Sequence, residues 1–500
     1  MRRSLLLALV LVACPVAAFA ACSSSSKSGA SNADAGGDDS GDDGSVPTPA
    51  AWDQPVMRPD DNTATTDRTA CTYKRGDMPA ATLGTSTPVD TDIPIENIVV
   101  VMMENHSFDS YLGHLNQFAN RTDIESADAG ATNPDVDGAA VPWAHAPHPC
   151  SADTDHEWAG THQEIDNGAM DGFVTTNDGY GQPAGADPTV YSGARAMWWY
   201  DQTDLPFYYQ LASTFALADH YHCSMPGPTY PNRMYLYAAT SFGETSNVFP
   251  DISAYPYPTN DATILDELEK RHTTWLAYSD GPPGAGTVYG TQGASRWGRT
   301  VVASFNQFLS DAKSGNLPQV SFVDPDLSSE ANKGAGTDEH PPGDIQSGEV
   351  FVSQVVQSVM SSPQWAHTAL FITHDENGGF YDHVPPVAAC PPDSIQPILD
   401  KGDTTKGGFD IYGNRVLLIA VSPYAKKAYV GHTVYDHTSI ARFIEAKFKI
   451  PALTARDANA TPPMDLFDFT DPPAFATPPA LTTPTIDPTQ LSYCETTFGK

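Results

Sequence analysis

The chain is poor in positive charge: 26 Lys and Arg stand against 61 Asp and Glu, for a formal net charge of −35. Nucleic acid or an anionic bilayer would repel such a surface, which argues against either as a partner. Cysteine is scarce at seven residues in 500. None of the five beyond Cys22 (Cys71, Cys150, Cys223, Cys390 and Cys494) stands in a C-x-x-C pair, which argues against a thiolate zinc site. No internal repeat is present. Long apolar runs are missing too: the stretch from Leu5 to Ala20 is short for a bilayer-spanning helix, so no transmembrane helix is expected in the mature chain.

That stretch follows Met1-Arg2-Arg3 and ends in small residues before Cys22, the pattern of an exported leader over residues 1–22. Phe19-Ala20-Ala21-Cys22 resembles the lipobox of bacterial lipoproteins, with cleavage after Ala18-Phe19-Ala20 as the equal alternative. Leu11-Val12-Ala13-Cys14 matches the lipobox better but would leave an apolar remnant. The expectation is an exported protein, periplasmic, secreted or held at the cell envelope by a lipid on Cys22. Export permits disulfides, and an odd number of remaining thiols is met most simply by two bridges and one free cysteine. Residues 23–50 are Ser, Gly, Asp and Ala with little to bury, a flexible tether. Residues 51–92 are expected to wrap the surface, 93–450 to form the catalytic domain, and 451–500 a Pro- and Thr-rich tail. The 43 prolines and 38 glycines imply long loops, where chemistry is expected to sit.

Two apolar runs end in acids. Ile98-Val99-Val100-Val101-Met102 leads to Glu104-Asn105, and Ala369-Leu370-Phe371-Ile372-Thr373 leads to Asp375-Glu376-Asn377-Gly378-Gly379. Such runs suit strands buried inside a parallel sheet, whose ligands gather at the carboxyl ends. Pro318–Val323 and Arg415–Val421 read as further strands, stopping at Asp324 and Ser422-Pro423. Between them, Ile264, Leu265 and Leu268, and then Val352, Val355, Val356 and Val359, carry helical spacing; Ser439, Phe443, Ile444 and Phe448 suit a late helix. Alternating strand and helix patterns predict a three-layer α/β/α sandwich around a mainly parallel sheet.

Folding such a sheet would gather Glu104, Asn105, Asp375 and Glu376 into an oxygen-rich site for one divalent cation, whose identity the residues leave open. Alternatively, such acids are solvated or cap helices. In Cys223–Arg233, three prolines and a glycine hold Thr229 in a turn before a helical Met234–Ala238. A hydroxyl there meets free backbone N–H groups that favour a phosphoryl oxyanion, while the plainer alternative is that Thr229 and Asn232 cap the helix. His156, His340 and His383 each lie beside carboxylates, where a protonated imidazole can bind phosphate or protonate a leaving oxygen. His106, His162 and His437 carry a weaker signal, and His437 reads as a helix start.

Together these segments resemble the bacterial phosphoesterase family of phosphatidylcholine-type phospholipases C and acid phosphatases, which has an alkaline-phosphatase-like core. The matching stretches are Val99–Gly113, His156–Phe173, Asp219–Arg233, Glu339-His340-Pro341, Trp365–Pro386 and Gly413–Phe443, in family order. The resemblance implies that Glu104, Asn105, Asp375 and Glu376 hold the metal and that Thr229 is the metal-bound nucleophile, where acid phosphatases carry Ser. It implies that His340 contacts phosphate, that His156 plays a similar part, and that turnover passes through a phosphothreonine. The larger phospholipases continue into β-rich domains where this chain has its tail, so phosphatidylcholine, other diesters and small phosphomonoesters all stay open as substrates. The alternative is a non-catalytic surface lipoprotein that binds a phosphorylated ligand.

Overall fold

A computed structural model describes residues 52, 54–249, 262–281, 297–329 and 336–499. The leader and tether expected over 1–22 and 23–50, with Cys14 and Cys22, lie outside the described residues. No helix among those described is long and apolar enough to cross a membrane.

Eight strands form the central sheet: β1 (Asn97–Met103), β2 (Ala216–Ala218), β3 (Trp275–Ser279), β4 (Val302–Ser304), β5 (Val320–Asp324), β6 (Thr368–His374), β7 (Leu418–Val421) and β8 (Tyr429–Gly431). Their spatial order is β8-β2-β7-β6-β1-β5-β3-β4. Every neighbouring pair is parallel except the two made by β7, which runs against β6 and β2. The strand expected over Arg415–Val421 is therefore the one reversed strand, and its amino end, next to Arg415, lies at the edge where β1 and β6 finish.

All seven residues of β1 and all seven of β6 are buried, so both faces of the sheet are covered, as continuous apolar runs require. Their register pairs Val101 with Ile372 and Met103 with His374. The two strands thus end level, and the Asp375 amide donates to the Met103 carbonyl at 3.1 Å. Helices form where the spacing predicts them. Ile264–Lys270 begins with a capping box between Thr263 and Asp266; Ile345–Met360 buries Val352, Val355, Val356 and Val359; His437–Phe448 begins with a capping box between Asp436 and Ser439.

Disulfides join Cys71 to Cys390 and Cys150 to Cys494, and Cys223 is free and buried, the expected two bridges and one thiol. They tie the segments flanking the sheet to its connecting loops. Beyond residue 450, Leu466, Phe467, Phe469 and Phe475 enter the main core, and the Phe475 carbonyl accepts from the Trp365 indole at 2.9 Å.

Candidate active site

The end of β1 turns sharply at Asn105, whose φ of +62° is left-handed. The end of β6 turns through Gly378, at φ +61°, where a Cβ would stand 2.2 Å from the Asn105 carbonyl oxygen. Only glycine lets the two turns pack this closely. The Gly378 amide donates to Glu376 Oε2 at 2.5 Å, and the Asn105 amide to Asp375 Oδ1 at 3.4 Å. His156 Nδ1–H donates to the Thr154 carbonyl at 2.8 Å, and its Nε2 lies 3.3 Å from the Asn105 side-chain amide. The other oxygens, Asn105 Oδ1 and Glu376 Oε1, are buried without a hydrogen-bond partner among the described residues.

The helix Thr229–Ala238 supplies the next part. Pro228 occupies the N-cap position and Thr229 is the first helical residue, with no side-chain capping bond, so its hydroxyl is not used as a cap. Asn232 does serve the turn: its Oδ1 accepts from the Met225 amide at 3.1 Å, and its Nδ2 donates to the Gly227 carbonyl at 2.8 Å. One turn beyond Thr229, on the same face, is Arg233. Its fully buried guanidinium lies 2.8 Å from Asp375, 3.3 Å from Asp324 and 3.4 Å from Glu104, and also donates to the carbonyls of Met102 and Met103. Burial would weaken its charge, but the Asp375, Glu104 and Asp324 carboxylates hold it firmly protonated. In the sequence Arg233 is merely the end of a motif; its signal is its place four residues after a candidate nucleophile.

His340 joins His156 with ring centroids 5.3 Å apart, and with Asp153 they form a group whose ligand atoms lie within 4.8 Å of one another. Burial alone would lower the His156 pKa, yet the Glu376 and Asp153 carboxylates carry it up to about 9. The Glu376 carboxyl is pushed well above the ordinary range, first by burial and then by Asp375 and Glu104, against the pull of His156. Four buried carboxylates (Glu104, Asp324, Asp375, Glu376) thus share Arg233 and His156 as counter-charges. Glu104, Asn105, Asp375 and Glu376 offer oxygen donors at one edge of the sheet, two of them orphaned among the described residues. The carboxylates of Glu104, Asp375 and Glu376 are not, however, drawn within 4.8 Å of one another as the ligand atoms of Asp153, His156 and His340 are.

His437 acts behind the site. Its Nε2–H donates to the Asp375 carbonyl at 2.7 Å and its Nδ1 accepts from the Tyr221 hydroxyl at 2.9 Å, while burial lowers its pKa to about 3. A lone histidine at a helix start gives no sequence signal of such a contact. His162 bonds the Trp158 carbonyl within its own helix.

His383 belongs to a different network. It lies 2.6 Å from Asp109 and 3.1 Å from Glu125, beside the buried Arg415–Asp382 pair. Burial would lower its pKa, but the bond to Asp109 and the charges of Asp109 and Asp382 raise it to about 9. Its contribution to stability is therefore fully present below the unfolded value of about 6.5 and is lost as pH rises through about 9. Wild type is expected to lose about 2 kcal/mol more than His383→Gln across that window, discounted for partial exposure and measured by urea unfolding at successive pH values. Parallel pH profiles would remove this assignment.

The sequence profile of the Phosphoesterase family matches residues 95–451. Phospholipase C B of Mycobacterium tuberculosis is 31% identical over 425 residues, spanning 76% of this chain and 78% of that protein. Non-specific phospholipase C1 of Arabidopsis thaliana is 32% identical over 395 residues, spanning 73% of this chain and 70% of that protein. Among solved structures, a Vibrio parahaemolyticus protein in the alkaline phosphatase superfamily covers 81% of this chain and 80% of its own, with 9% identity and a TM-score of 0.38.

Proposed function

Because the chain belongs to the Phosphoesterase family, we propose that it is an exported, metal-dependent hydrolase of phosphoric esters in which Thr229 is the nucleophile. The observation that carries the reading is the pair of buried oxygens, Asn105 Oδ1 and Glu376 Oε1, that have no hydrogen-bond partner among the described residues at the ends of β1 and β6. Arg233 links that edge to the helix that begins at Thr229. Relatives named as phospholipases C support a phosphodiester with an apolar alcohol as the substrate class. Two disulfides and the leader-like residues 1–22 support an oxidising destination outside the cytoplasm.

Glu104, Asn105, Asp375 and Glu376 would hold the cation, which when bound lowers hydroxyl pKa values and offsets charge on phosphoryl oxygens. Thr229 Oγ gives up its proton to solvent water and bonds to phosphorus as the bond from phosphorus to the leaving oxygen breaks. At the start of its helix the Tyr230 amide is taken by Asn247 Oδ1 at 2.8 Å and Pro231 has none, which leaves the Thr229 amide for a phosphoryl oxygen. His156, beside the Asp153 carboxylate, donates to the leaving oxygen, and His340 binds a phosphoryl oxygen next to it. Water then attacks the phosphothreonine, releasing a phosphomonoester from a diester, or phosphate from a monoester, and restoring the Thr229 hydroxyl.

The test is hydrolysis of p-nitrophenyl phosphorylcholine and p-nitrophenyl phosphate, with and without chelator. Release from the first ester in excess of the second, lost on chelation and restored by a divalent cation, is the expected result. No release from either ester by folded, metal-loaded protein would reject the enzyme reading in favour of a phosphate-binding protein.

A further inference from the structure

Besides the Thr229 helix and the segment of His156, three segments carry the site: the end of β1 with Asn105, the end of β6 with Asp375 and Glu376, and the loop with His340. The sheet register fixes the first two against each other, but the third is not part of the sheet. Glu339, immediately before His340, has a fully buried side chain and a left-handed φ of +76°. Its Oε2 is 2.8 Å from His374 Nε2, and His374 is the last residue of β6, next to Asp375. Its carbonyl oxygen is bonded at 3.2 Å by Nε2 of His106, the residue after Asn105. One residue earlier, the Asp338 carbonyl accepts from the Glu104 amide at 2.9 Å. A single residue thus bonds the immediate neighbours of both metal-site segments while adjoining the phosphate-site histidine.

The surroundings are shaped to keep the Glu339 side chain where it is. Its Oε1 accepts from the Tyr208 hydroxyl at 2.9 Å. Tyr208 stands in the first turn of the helix Pro206–Thr214, whose Phe207 and Tyr208 amides donate to Glu349 Oε1 at 2.6 and 3.2 Å. Gly348 leaves the passage open: a Cβ there would lie 2.1 Å from Glu339 Cγ. A two-sided clamp of this kind holds a side chain in one rotamer, and a second shell so held is what keeps reacting groups within a fraction of an ångström.

We propose that Glu339 is a positioning residue that, through His374 and His106, sets the loop bearing His340 in register with Asn105, Asp375 and Glu376. The inference rests on the reading of the site given above. Glu339 bonds the neighbours of the site residues, so its loss moves His340 relative to the metal ligands, while the sheet still places those ligands. A shift of about 1 Å in such a group lowers turnover on the order of 100-fold.

The experiment compares wild type with Glu339→Ala, Glu339→Gln, Gly348→Ala and Tyr208→Phe. It reads kcat and KM on p-nitrophenyl phosphorylcholine, bound metal per chain, and the affinity for vanadate, which mimics five-coordinate phosphorus. Glu339→Ala and Gly348→Ala are expected to lower kcat about 100-fold and weaken vanadate at least about tenfold, with KM and metal content near wild type. Glu339→Gln keeps the size, accepts from Tyr208 through its oxygen and donates from its nitrogen to His374 Nε2 once that ring carries its proton on Nδ1, and is expected within about threefold of wild type; Tyr208→Phe, which removes one bond, falls between. Wild-type kcat and vanadate affinity in folded Gly348→Ala and Glu339→Ala would overturn the proposal, as would a Gln variant as impaired as the Ala variant. Should Glu339→Ala fail to fold, Gly348→Ala and Tyr208→Phe decide alone. Absent turnover in wild type would reject the function reading only, because vanadate affinity still reads the placement of His340.

Discussion

Thr229→Ala is expected to lower turnover of either nitrophenyl ester on the order of 10⁴-fold or more, with metal content and stability close to wild type. The variant isolates chemistry from folding because the Thr229 hydroxyl makes no capping bond and Pro228 holds the cap position. Alanine is at ease in a first helical turn, so the expected change in stability is within about 0.5 kcal/mol. Asn232 still closes the Met225–Pro228 turn, and Arg233 still bonds Glu104, Asp324 and Asp375. Thr229→Ser, which keeps the hydroxyl, is expected to retain activity and to trap a phosphoserine on rapid acid quench. Wild-type turnover in Thr229→Ala would remove the nucleophile assignment, whatever the metal dependence.

Arg233→Met carries the second large effect, and it falls on folding. The guanidinium pairs with Glu104, Asp324 and Asp375, and all four groups are buried. Methionine fills much of the volume but removes this shared counter-charge, and removing one partner from a buried charge network costs about 3–5 kcal/mol. Part of the loss is expected to return when a divalent cation is added, since an ion that binds only the folded state stabilises it by mass action. Urea unfolding of both proteins, with chelator and with saturating cation, measures each term. Equal stability in chelator would mean that Arg233 does not balance those acids; equal cation response in both would detach it from the metal site.

The parts of this molecule that were readable from sequence are those whose information is local. An unbroken apolar run such as Ile98–Met102 or Ala369–Thr373 can be buried on both faces only in a covered sheet, and both runs lie within β1 and β6. The valines at 352, 355, 356 and 359 fall on one helical face and are buried on it. Short strands such as Ala216–Ala218 and Tyr429–Gly431 carry too few residues to show a period, and only their neighbours make them strands. The direction of β7 was likewise hidden, because the apolar pattern of a buried strand is the same in either direction.

At the site, residue types singled out Glu104, Asn105, Asp375, Glu376, Thr229, His156 and His340 as candidates, since acids after buried strands and a hydroxyl after a proline-bound turn are visible in one dimension. Capping and solvation stayed open for them, and the family resemblance supplied their roles. Tertiary structure decided which charges share space. Arg233 reaches Glu104, Asp324 and Asp375 from residues 91 to 142 positions away, His437 reaches the Asp375 carbonyl from 62 away, and Glu339 meets Tyr208 across 131. His383, flanked by acids much as His156 is, was drawn instead into the Asp109–Asp382–Arg415 network. Strand burial and helix periodicity depend on neighbours a few residues apart, so composition and spacing determine them. Charge pairing depends on distance through space in a medium of low dielectric constant, and that distance exists only once the sheet has brought its strand ends level.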